Sequence, residues 1–273
     1  MNNNETDASE DAIDGCVIDL DGTLTLGDGL TRGARELVAA TGGAFVVLSN
    51  NSSHSATDLA TELAALELDV PPARILLAGA HAVALLGQER PGERVLLLGS
   101  PALERLAVAA GLVLDEDRPR TVLLARDERF SYPRFARAAN AVRHGAQFMV
   151  ANADLTHPGP DGGIVPETGA LLAAFRACCP DAPCRVIGKP EAALFADALR
   201  ILGTRPERTL VIGDNAATDG EGARRTRMPF LHVFDCDVSA AAAVVHRRMR
   251  HSASKPRTGA GGPAVSPPSR RHT

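Results

Sequence analysis

The chain has 273 residues, which is enough for one large or two modest domains. A hydrophobic fraction of 45% and a charged fraction of 23% are typical of a soluble globular protein. The net charge of -4 excludes a general electrostatic attraction to nucleic acid, and no apolar run approaches the roughly 20 residues that span a bilayer. We therefore expect a cytoplasmic protein with no membrane partner and no specific binding of nucleic acid.

Strands and helices are predicted to alternate along most of the chain, which indicates an α/β fold with parallel sheets. Strands are predicted at 16–19, 44–48, 74–78, 94–98, 121–125, 147–151, 184–187, 209–212 and 230–233, and helices at 32–40, 57–68, 80–86, 101–110, 132–143, 168–177, 191–202 and 221–226. Residues 1–11 have little apolar surface to bury and are predicted to be disordered. Residues 246–273 are rich in Arg, Ser, Pro and Gly, so we predict a disordered basic tail that is either solvated or in contact with an acidic partner or a polyanion.

The first strand ends in two aspartates, Asp19 and Asp21, followed by Gly22 and Thr23. On an extended strand this spacing points both carboxylates the same way, and the carboxyl end of a strand in an open α/β sheet borders a crevice. The two charges repel, which raises the proton affinity of one group and favours a bound Mg²⁺. The pattern suggests an aspartate nucleophile beside an acid/base aspartate; alternatively, both acids only cap a turn or a helix.

Polar residues also lie beside later strands and helices. Ser49 and Asn50 separate a strand from a helix and offer hydroxyl and main-chain N–H groups to an anion. Lys189 lies just before a helix that begins with proline, and Asp214 and Asp219 follow a later strand. Because parallel strands end at one edge of a sheet, we expect these groups to meet. Together they supply the nucleophile, acid/base, metal ligands and phosphoryl-binding groups that phosphoryl transfer needs.

These residues resemble the four motifs of the haloacid dehalogenase (HAD) superfamily. The matching stretches are Asp19-Leu20-Asp21-Gly22-Thr23, Ser49, Lys189, and Gly213-Asp214 through Asp219. The resemblance implies a Rossmann-like core in which Asp19 becomes an aspartyl phosphate, while Asp21 protonates the leaving group and then activates water. Asp21 also argues against the dehalogenases and the transport ATPases of the superfamily, so phosphatases and phosphomutases remain.

The resemblance also implies the binding of the phosphoryl group and of the cofactor Mg²⁺. The expected ligands of the phosphoryl group are Ser49, Asn50 and Lys189, and those of the metal are Asp19, Asp21 and Asp214. Of these metal ligands, Asp21 is expected to contribute its main-chain carbonyl. Asp219 is expected to orient Lys189 or a water molecule bound to the metal.

The spacing of the motifs indicates where a cap domain is inserted. Between Ser49 and Lys189 there is room for a whole α/β unit, which resembles the C2-type cap of HAD subclass IIA. We therefore predict a catalytic core at 12–80 and 184–245 and a cap at 81–183. The likeness continues through 127–132, 151–154 and 164–170, so it covers the cap. Members of this family often dimerise through the cap, and the resemblance allows a homodimer here.

Substrate contacts are expected from loops next to these motifs. His54 follows Ser49 on a loop, and Asn152 and Asp154 lie on a cap segment that faces the active site in the family. The alternatives are an exposed residue in the first turn of a helix for His54, and an Asx turn for Asn152 and Asp154. His157 and Glu167 are further loop candidates.

The predicted function is that of a Mg²⁺-dependent phosphatase. The resemblance implies hydrolysis of a small phosphomonoester, of the sugar, nucleotide, glycerol, glycolate or pyridoxal phosphate class. A phosphotransferase or mutase would use the same groups, and so would a protein that only senses a phosphorylated ligand.

Overall fold

The computed structural model describes residues 12–158, 163–235 and 237–254. Its strands are β1 (Gly15–Ile18), β2 (Thr25–Leu26), β3 (Gly29–Leu30), β4 (Phe45–Ser49), β5 (Ile75–Leu77), β6 (Arg94–Leu98), β7 (Val113–Leu114), β8 (Thr121–Leu124), β9 (Gln147–Val150), β10 (Thr156–Pro158), β11 (Ile164–Pro166), β12 (Cys184–Val186), β13 (Thr209–Gly213) and β14 (Phe230–His232). Its helices are α1 (Ala34–Ala40), α2 (Ala56–Ala65), α3 (Ala78–Glu89), α4 (Pro101–Ala109), α5 (Tyr132–Arg143), α6 (Thr168–Cys178), α7 (Ala192–Leu202), α8 (Glu221–Thr226) and α9 (Ser239–Ser254).

The first sheet has five strands in the order β14-β13-β1-β4-β5, and every adjacent pair is parallel. The strands β1, β4 and β13 are buried along their whole length, as their unbroken apolar sequence predicts for a sheet covered on both faces. Leu37 of α1, Leu59 of α2 and Val245 of α9 pack on one face, while Phe195 of α7 and Ala223 of α8 pack on the other. All carboxyl ends of this sheet therefore lie along one edge.

The second sheet also has five parallel strands, in the order β12-β9-β8-β6-β7. Val83 of α3 and Leu103 of α4 cover one face, and Val142 of α5 and Phe175 of α6 cover the other. The predicted α/β class with parallel sheets is confirmed. Two short hairpins, β2-β3 and β10-β11, complete the sheets of the described residues and were not predicted.

The two units join at different residues from those predicted. Cys184, Arg185 and Val186 form β12, which pairs with β9, so this segment belongs to the second sheet and not to the first. The predicted boundary at residue 80 also falls inside α3, which begins with Ala78 in the core of the first unit and continues with Ala82 in that of the second. The sequence pattern of a segment predicts a strand but not the sheet that it joins.

The predicted tail begins too early. Residues 246–254 continue helix α9, whose Ala241, Ala242 and Val245 pack into the core of the first unit. This helix was missed because its polar, arginine-rich face dominates the composition of the segment. Residues 1–11 and 255–273, also predicted to be disordered, lie outside the described residues. Within the part of the chain that the structure describes, no helix is both long and apolar enough to cross a membrane.

The helix that follows Ser49 depends on a capping box. The Ser55 hydroxyl accepts a hydrogen bond from the Asp58 main-chain N–H at 3.1 Å, and the Asp58 carboxylate accepts one from the Ser55 N–H at 3.1 Å. We expect Ser55→Ala to lower the free energy of unfolding by about 1 kcal/mol, because it leaves an N–H group at the start of α2 without its partner. Urea unfolding measures the difference. Thr61→Ala, which removes an exposed mid-helix hydroxyl, is the control and should be close to neutral; equal effects would contradict the capping role.

Candidate active site

The structure brings the motif residues together at the carboxyl edge of the first sheet. Asp19 follows β1 and Asp214 follows β13, its neighbour in the sheet, while Ser49 ends β4 on the other side of β1. Lys189 lies between β12 and α7 and reaches this edge with its side chain. Its Nζ is 2.5 Å from Asp19 Oδ1 and 2.7 Å from Asp219 Oδ1. The predicted convergence of separate strand ends is therefore present.

Lys189, Asp19 and Asp219 form a buried cluster of charges. The side chain of Lys189 is only 4% exposed, and those of Asp19 and Asp219 are 6% and 2% exposed. Burial by itself lowers the pKa of Lys189, but the adjacent carboxylates of Asp19 and Asp219 outweigh it, so the pKa lies above its usual value. Burial and the charge of Asp19 raise the pKa of Asp219 to about 7, against the opposing effect of Lys189. The two carboxylates thus keep the Lys189 ammonium charged at the strand ends.

Three carboxylates at this edge of the sheet could hold a metal ion. Asp19, Asp214 and Asp219 each place an oxygen within 4.8 Å of the others. The Oδ2 atom of Asp219 is buried and has no hydrogen-bond partner among the described residues, and burial together with Asp19 raises the pKa of Asp214 to about 6. Crowded carboxylate oxygens whose negative charges are not neutralised suit a hard divalent cation such as Mg²⁺. Asp219 lies on a π-helical turn at Ala216–Gly220 and joins this group, whereas the sequence predicted only an orienting role for it.

Asp21 has different surroundings from Asp19. Its Oδ2 accepts a hydrogen bond from the Ser49 hydroxyl at 3.1 Å, and that hydroxyl accepts one from the Asn51 N–H at 2.9 Å. Burial, followed by the charge of Asp19, raises the pKa of Asp21 and favours its protonated form. Asp19 instead accepts hydrogen bonds from Lys189 and from the Thr23 hydroxyl, the latter at 3.2 Å. Neighbouring groups thus give the two aspartates different environments, as an acid beside a nucleophile requires.

The side chain of Asn50 ties the two units to this site. Its Oδ1 accepts a hydrogen bond from the Lys189 N–H at 2.7 Å, and its Nδ2 donates to Asp154 Oδ2 at 3.0 Å and to the Lys189 carbonyl at 3.2 Å. The side-chain amide of Asn50 thus makes its hydrogen bonds to other residues of the protein. Binding of a phosphoryl group by Ser49, Lys189 and the main chain at Asn50 remains a prediction.

The cap residues Asn152 and Asp154 differ in position. Asn152 is completely buried, and its amide donates to the Asn50 carbonyl at 2.7 Å and to the Ser52 hydroxyl at 3.1 Å. Its Oδ1 accepts from the Asp154 N–H at 3.1 Å, which is the Asx turn. The side chain of Asn152 is thus enclosed by protein contacts, and its predicted contact with a substrate stays a prediction. Asp154 is only half-buried and keeps its carboxylate beside Asn50, where burial raises its pKa.

His54 is engaged in contacts other than the predicted one with a substrate. Its Nδ1 is 3.0 Å from the Asn51 side chain, and its Nε2 is 3.2 Å from Glu62 of α2. Both ring nitrogens are thus engaged by the first unit, in a groove that Asp58 and Arg105 also line. The side chain supports the loop after Ser49 and has no ring nitrogen left for a substrate.

Sequence reasoning missed His232 at the rim of the site. Its Nε2 donates to the main-chain carbonyl of Asp214 at 2.7 Å, so it holds the loop that carries this carboxylate. The feature that could have revealed it is its position as the last residue of strand β14, because the carboxyl end of this strand lies on the same edge of the sheet as Asp19.

Comparison with known proteins agrees with this arrangement. The family model for haloacid dehalogenase-like hydrolases matches residues 13–226. A D-glycerol 3-phosphate phosphatase of Mycobacterium tuberculosis is 35% identical over 238 residues, which are 86% of this chain and 66% of that protein. A crystal structure of glycerol phosphate phosphatase from the same organism in complex with magnesium has a TM-score of 0.75 and 34% identity, covering 82% of this chain and 68% of the other. A 4-nitrophenylphosphatase from Thermotoga maritima has a TM-score of 0.76 and 28% identity, over 81% and 86% of the two chains.

The chain therefore belongs to the family of haloacid dehalogenase-like hydrolases. The resemblance to subclass IIA, inferred from the motifs, is confirmed. The chain spans about two thirds, 66%, of the length of the mycobacterial relative.

The crowding of carboxylates has a consequence for stability in the metal-free protein. The pKa of Asp214 is about 6, above its ordinary value of 3.8, so its ionisation opposes folding as the pH rises from about 4 to 6. In EDTA, we expect the free energy of unfolding of Asp214→Asn to equal that of wild type near pH 4 and to exceed it by about 1 kcal/mol above pH 6. The gain is smaller than the full pKa shift would give, because solvent around the exposed carboxylate screens the repulsion. Urea unfolding across this range measures the difference.

A surface carboxylate provides the control for this prediction. Asp69 is exposed on the connection that leads into β5, at the opposite edge of the sheet from Asp214. Asp69→Asn should give no comparable gain. A metal-free Asp214→Asn variant that is less stable than wild type at pH 8 would show that the carboxylates do not repel each other.

Proposed function

We propose that this protein is a Mg²⁺-dependent phosphatase that hydrolyses a small phosphomonoester through an aspartyl-phosphate intermediate. The observation that carries the proposal is the buried contact of Lys189 with Asp19, beside an Asp21 whose pKa is raised by burial. This pairing supplies a carboxylate, a fixed positive charge and a proton donor at one edge of one sheet.

The proposed reaction uses these groups in two steps. An oxygen of Asp19 attacks phosphorus, and the bond from phosphorus to the leaving oxygen breaks as Asp21 gives that oxygen its proton. Asp21, now a carboxylate, takes a proton from water as the water attacks the aspartyl phosphate, which releases phosphate and restores both aspartates. The Lys189 ammonium and the Ser49 hydroxyl neutralise and orient the phosphoryl oxygens.

The carboxylates at the strand ends would hold the cofactor. Asp19 and Asp214 would bind Mg²⁺, together with the main-chain carbonyl of Asp21 that the family resemblance implies, and Asp219 would orient Lys189 beside them. When bound, the ion neutralises negative charge on the phosphoryl oxygens. The magnesium complex of the mycobacterial glycerol phosphate phosphatase supports Mg²⁺ as the metal.

The second unit serves as a cap over the site. Its Asn152 and Asp154 side chains bind the loop at Asn50, next to Ser49, and such closure excludes water from the aspartyl phosphate. The substrate is a small polar ester of the glycerol phosphate kind, in agreement with the name of the mycobacterial relative. A homodimer through this cap stays a prediction.

Phosphate release from a panel of esters tests the activity. Glycerol, sugar, nucleotide, glycolate, pyridoxal and 4-nitrophenyl phosphates are assayed with Mg²⁺ and with EDTA. We expect Mg²⁺-dependent turnover, and we expect Asp19→Asn to lower it by roughly a thousandfold or more because the nucleophile is lost. Asp69→Asn is the control and should retain full activity. A folded, Mg²⁺-loaded protein that releases no phosphate contradicts the proposal, and transfer of phosphate to added alcohols instead of water would identify a phosphotransferase.

The acid role of Asp21 predicts a dependence on the leaving group. 4-Nitrophenolate leaves without a proton, whereas an alkoxide needs one. We expect Asp21→Asn to lower kcat/KM for glycerol phosphate by about a hundredfold or more, and for 4-nitrophenyl phosphate by no more than about tenfold. Because kcat/KM reports the steps up to the first irreversible one, the ratio isolates the first proton transfer. Equal losses for both esters would remove the acid role from Asp21.

A further inference from the structure

Three ring side chains stack along strand β14 and the residues that follow it. Phe230, His232 and Phe234 alternate with other residues, so they share one side of the extended chain. The His232 ring centroid lies 5.6 Å from that of Phe230, with the ring planes 28° apart, and 4.0 Å from that of Phe234, with the planes 48° apart. The chain has only eight Phe, one Tyr and no Trp, yet two of the phenyl rings flank this histidine. The imidazole is therefore held between two rings that restrict its rotation.

The His232 ring donates a hydrogen bond to the loop after β13. Its Nε2 atom lies 2.7 Å from the main-chain carbonyl oxygen of Asp214, and because a carbonyl only accepts, Nε2 carries the hydrogen. The carbonyl of the preceding residue, Gly213, accepts instead from the Val233 main-chain N–H at 3.0 Å. The segment at the end of β14 thus holds this loop at two successive carbonyls, one through the main chain and one through the histidine.

The carboxylate of Asp214 is restrained by a close approach on its other side. A Cβ atom at Gly22 would collide with this carboxylate, so only glycine lets the loop after β1 come so near. The Phe230 ring also packs on the turn that carries Asp219, since a Cβ atom at Gly220 would lie only 3.0 Å from it. The position of Asp214 therefore depends on contacts to its main chain as well as to its carboxylate.

The size of the expected ion makes this restraint important. Asp214 is exposed and lies on a loop, so its position depends on local contacts and not on burial. Mg²⁺ requires nearly ideal octahedral coordination at short distances, whereas Ca²⁺ accepts irregular coordination at longer ones. A carboxylate that is free to shift would still suit Ca²⁺ but would bind Mg²⁺ less well. Groups that orient a metal ligand from outside commonly affect the affinity for the metal in this way.

We propose that His232 is a positioning residue for the metal site and holds Asp214 so that the carboxylate cluster favours Mg²⁺ over Ca²⁺. The ring acts through the main-chain carbonyl of Asp214 and is not itself a metal ligand. Phe230 and Phe234 keep the ring where it can make this hydrogen bond. The inference rests on the Mg²⁺ site of the proposed function.

Binding of the two ions to the substrate-free protein tests the inference. The increase of Tm with the concentration of Mg²⁺ or Ca²⁺ gives a dissociation constant for each ion. His232→Phe keeps a ring between the two phenyl groups but has no donor. We expect it to weaken Mg²⁺ binding by about threefold to tenfold, as loss of one hydrogen bond provides. Binding of Ca²⁺ should weaken by less than about twofold, so that the preference for Mg²⁺ falls.

A second substitution at the same position separates the hydrogen bond from the packing of the ring. His232→Gln loses the ring but keeps an amide N–H donor, so it should bind Mg²⁺ more tightly than His232→Phe does. Equal losses of Mg²⁺ affinity in the two variants would assign the effect to packing and overturn the inference. The matched control is His144→Phe, which makes the same change at an exposed histidine after α5 and should leave both dissociation constants unchanged.

Phe234→Leu tests the stacking without removing the donor. Phe234 is 65% exposed, so this substitution does not threaten folding and gives a result even where a His232 variant does not fold. We expect it to weaken Mg²⁺ binding by about twofold to threefold, because the His232 ring loses one of its two neighbours. In the His232→Phe background it should cause no further loss. A loss of the same size in both backgrounds would contradict the role of Phe234 in holding the histidine.

The outcomes also separate this inference from the proposed function. If wild type binds Mg²⁺ and releases phosphate, but His232→Phe and Phe234→Leu bind both ions as wild type does, this inference alone is wrong. If wild type binds neither ion, the proposed Mg²⁺ site is wrong, and the Mg²⁺-dependent phosphatase activity is contradicted with it.

Discussion

A single ammonium group buried between two carboxylates organises the site. The Lys189 nitrogen lies 2.5 Å from Asp19 and 2.7 Å from Asp219, on segments far apart in the chain. A buried ammonium is costly unless it is paired and hydrogen-bonded, so the strand end at Asp19, the turn at Asp219 and the loop before α7 must keep their positions relative to each other. The same requirement leaves a positive charge where a phosphoryl group is proposed to bind.

The two aspartates of the first strand show how neighbours assign different chemistry to identical side chains. Asp19 faces Lys189 and the Thr23 hydroxyl, whereas Asp21 keeps surface exposed to solvent and accepts a hydrogen bond from Ser49. Desolvation by the surrounding protein and the charge of Asp19 raise the pKa of Asp21, while Asp19 is held in the ion pair with Lys189. The proposed division between nucleophile and proton donor follows from these contacts, since the side chains themselves are identical.

The link between the two units is made of amide groups. Asn50 contacts the main chain of Lys189 and the carboxylate of Asp154, while Asn152 binds the carbonyl of Asn50 from the second unit. Because these amides are buried, loss of any of these contacts would leave an unsatisfied polar group. This cost holds the cap segment next to Ser49. The loop that is proposed to bind phosphate and the segment that carries His157 are therefore parts of one hydrogen-bonded structure.

The sequence by itself determined the class of fold, most strand and helix positions, and the five residues that carry the motifs, Asp19, Asp21, Ser49, Lys189 and Asp214. It could do so because a strand buried on both faces must be apolar, so a polar or charged group at the end of a strand or just before the next helix stands out against it. Helix α9 and the sheet membership of β12 could not be read in this way, because both depend on which surface is available for packing. Only the tertiary structure decided that Asn152 is enclosed, that His54 turns to Glu62, and that Glu167 meets His157. The position of Asn152 follows from how the two units pack, and the other two contacts follow from how a loop and a hairpin fold within one unit. No local spacing of residues encodes either.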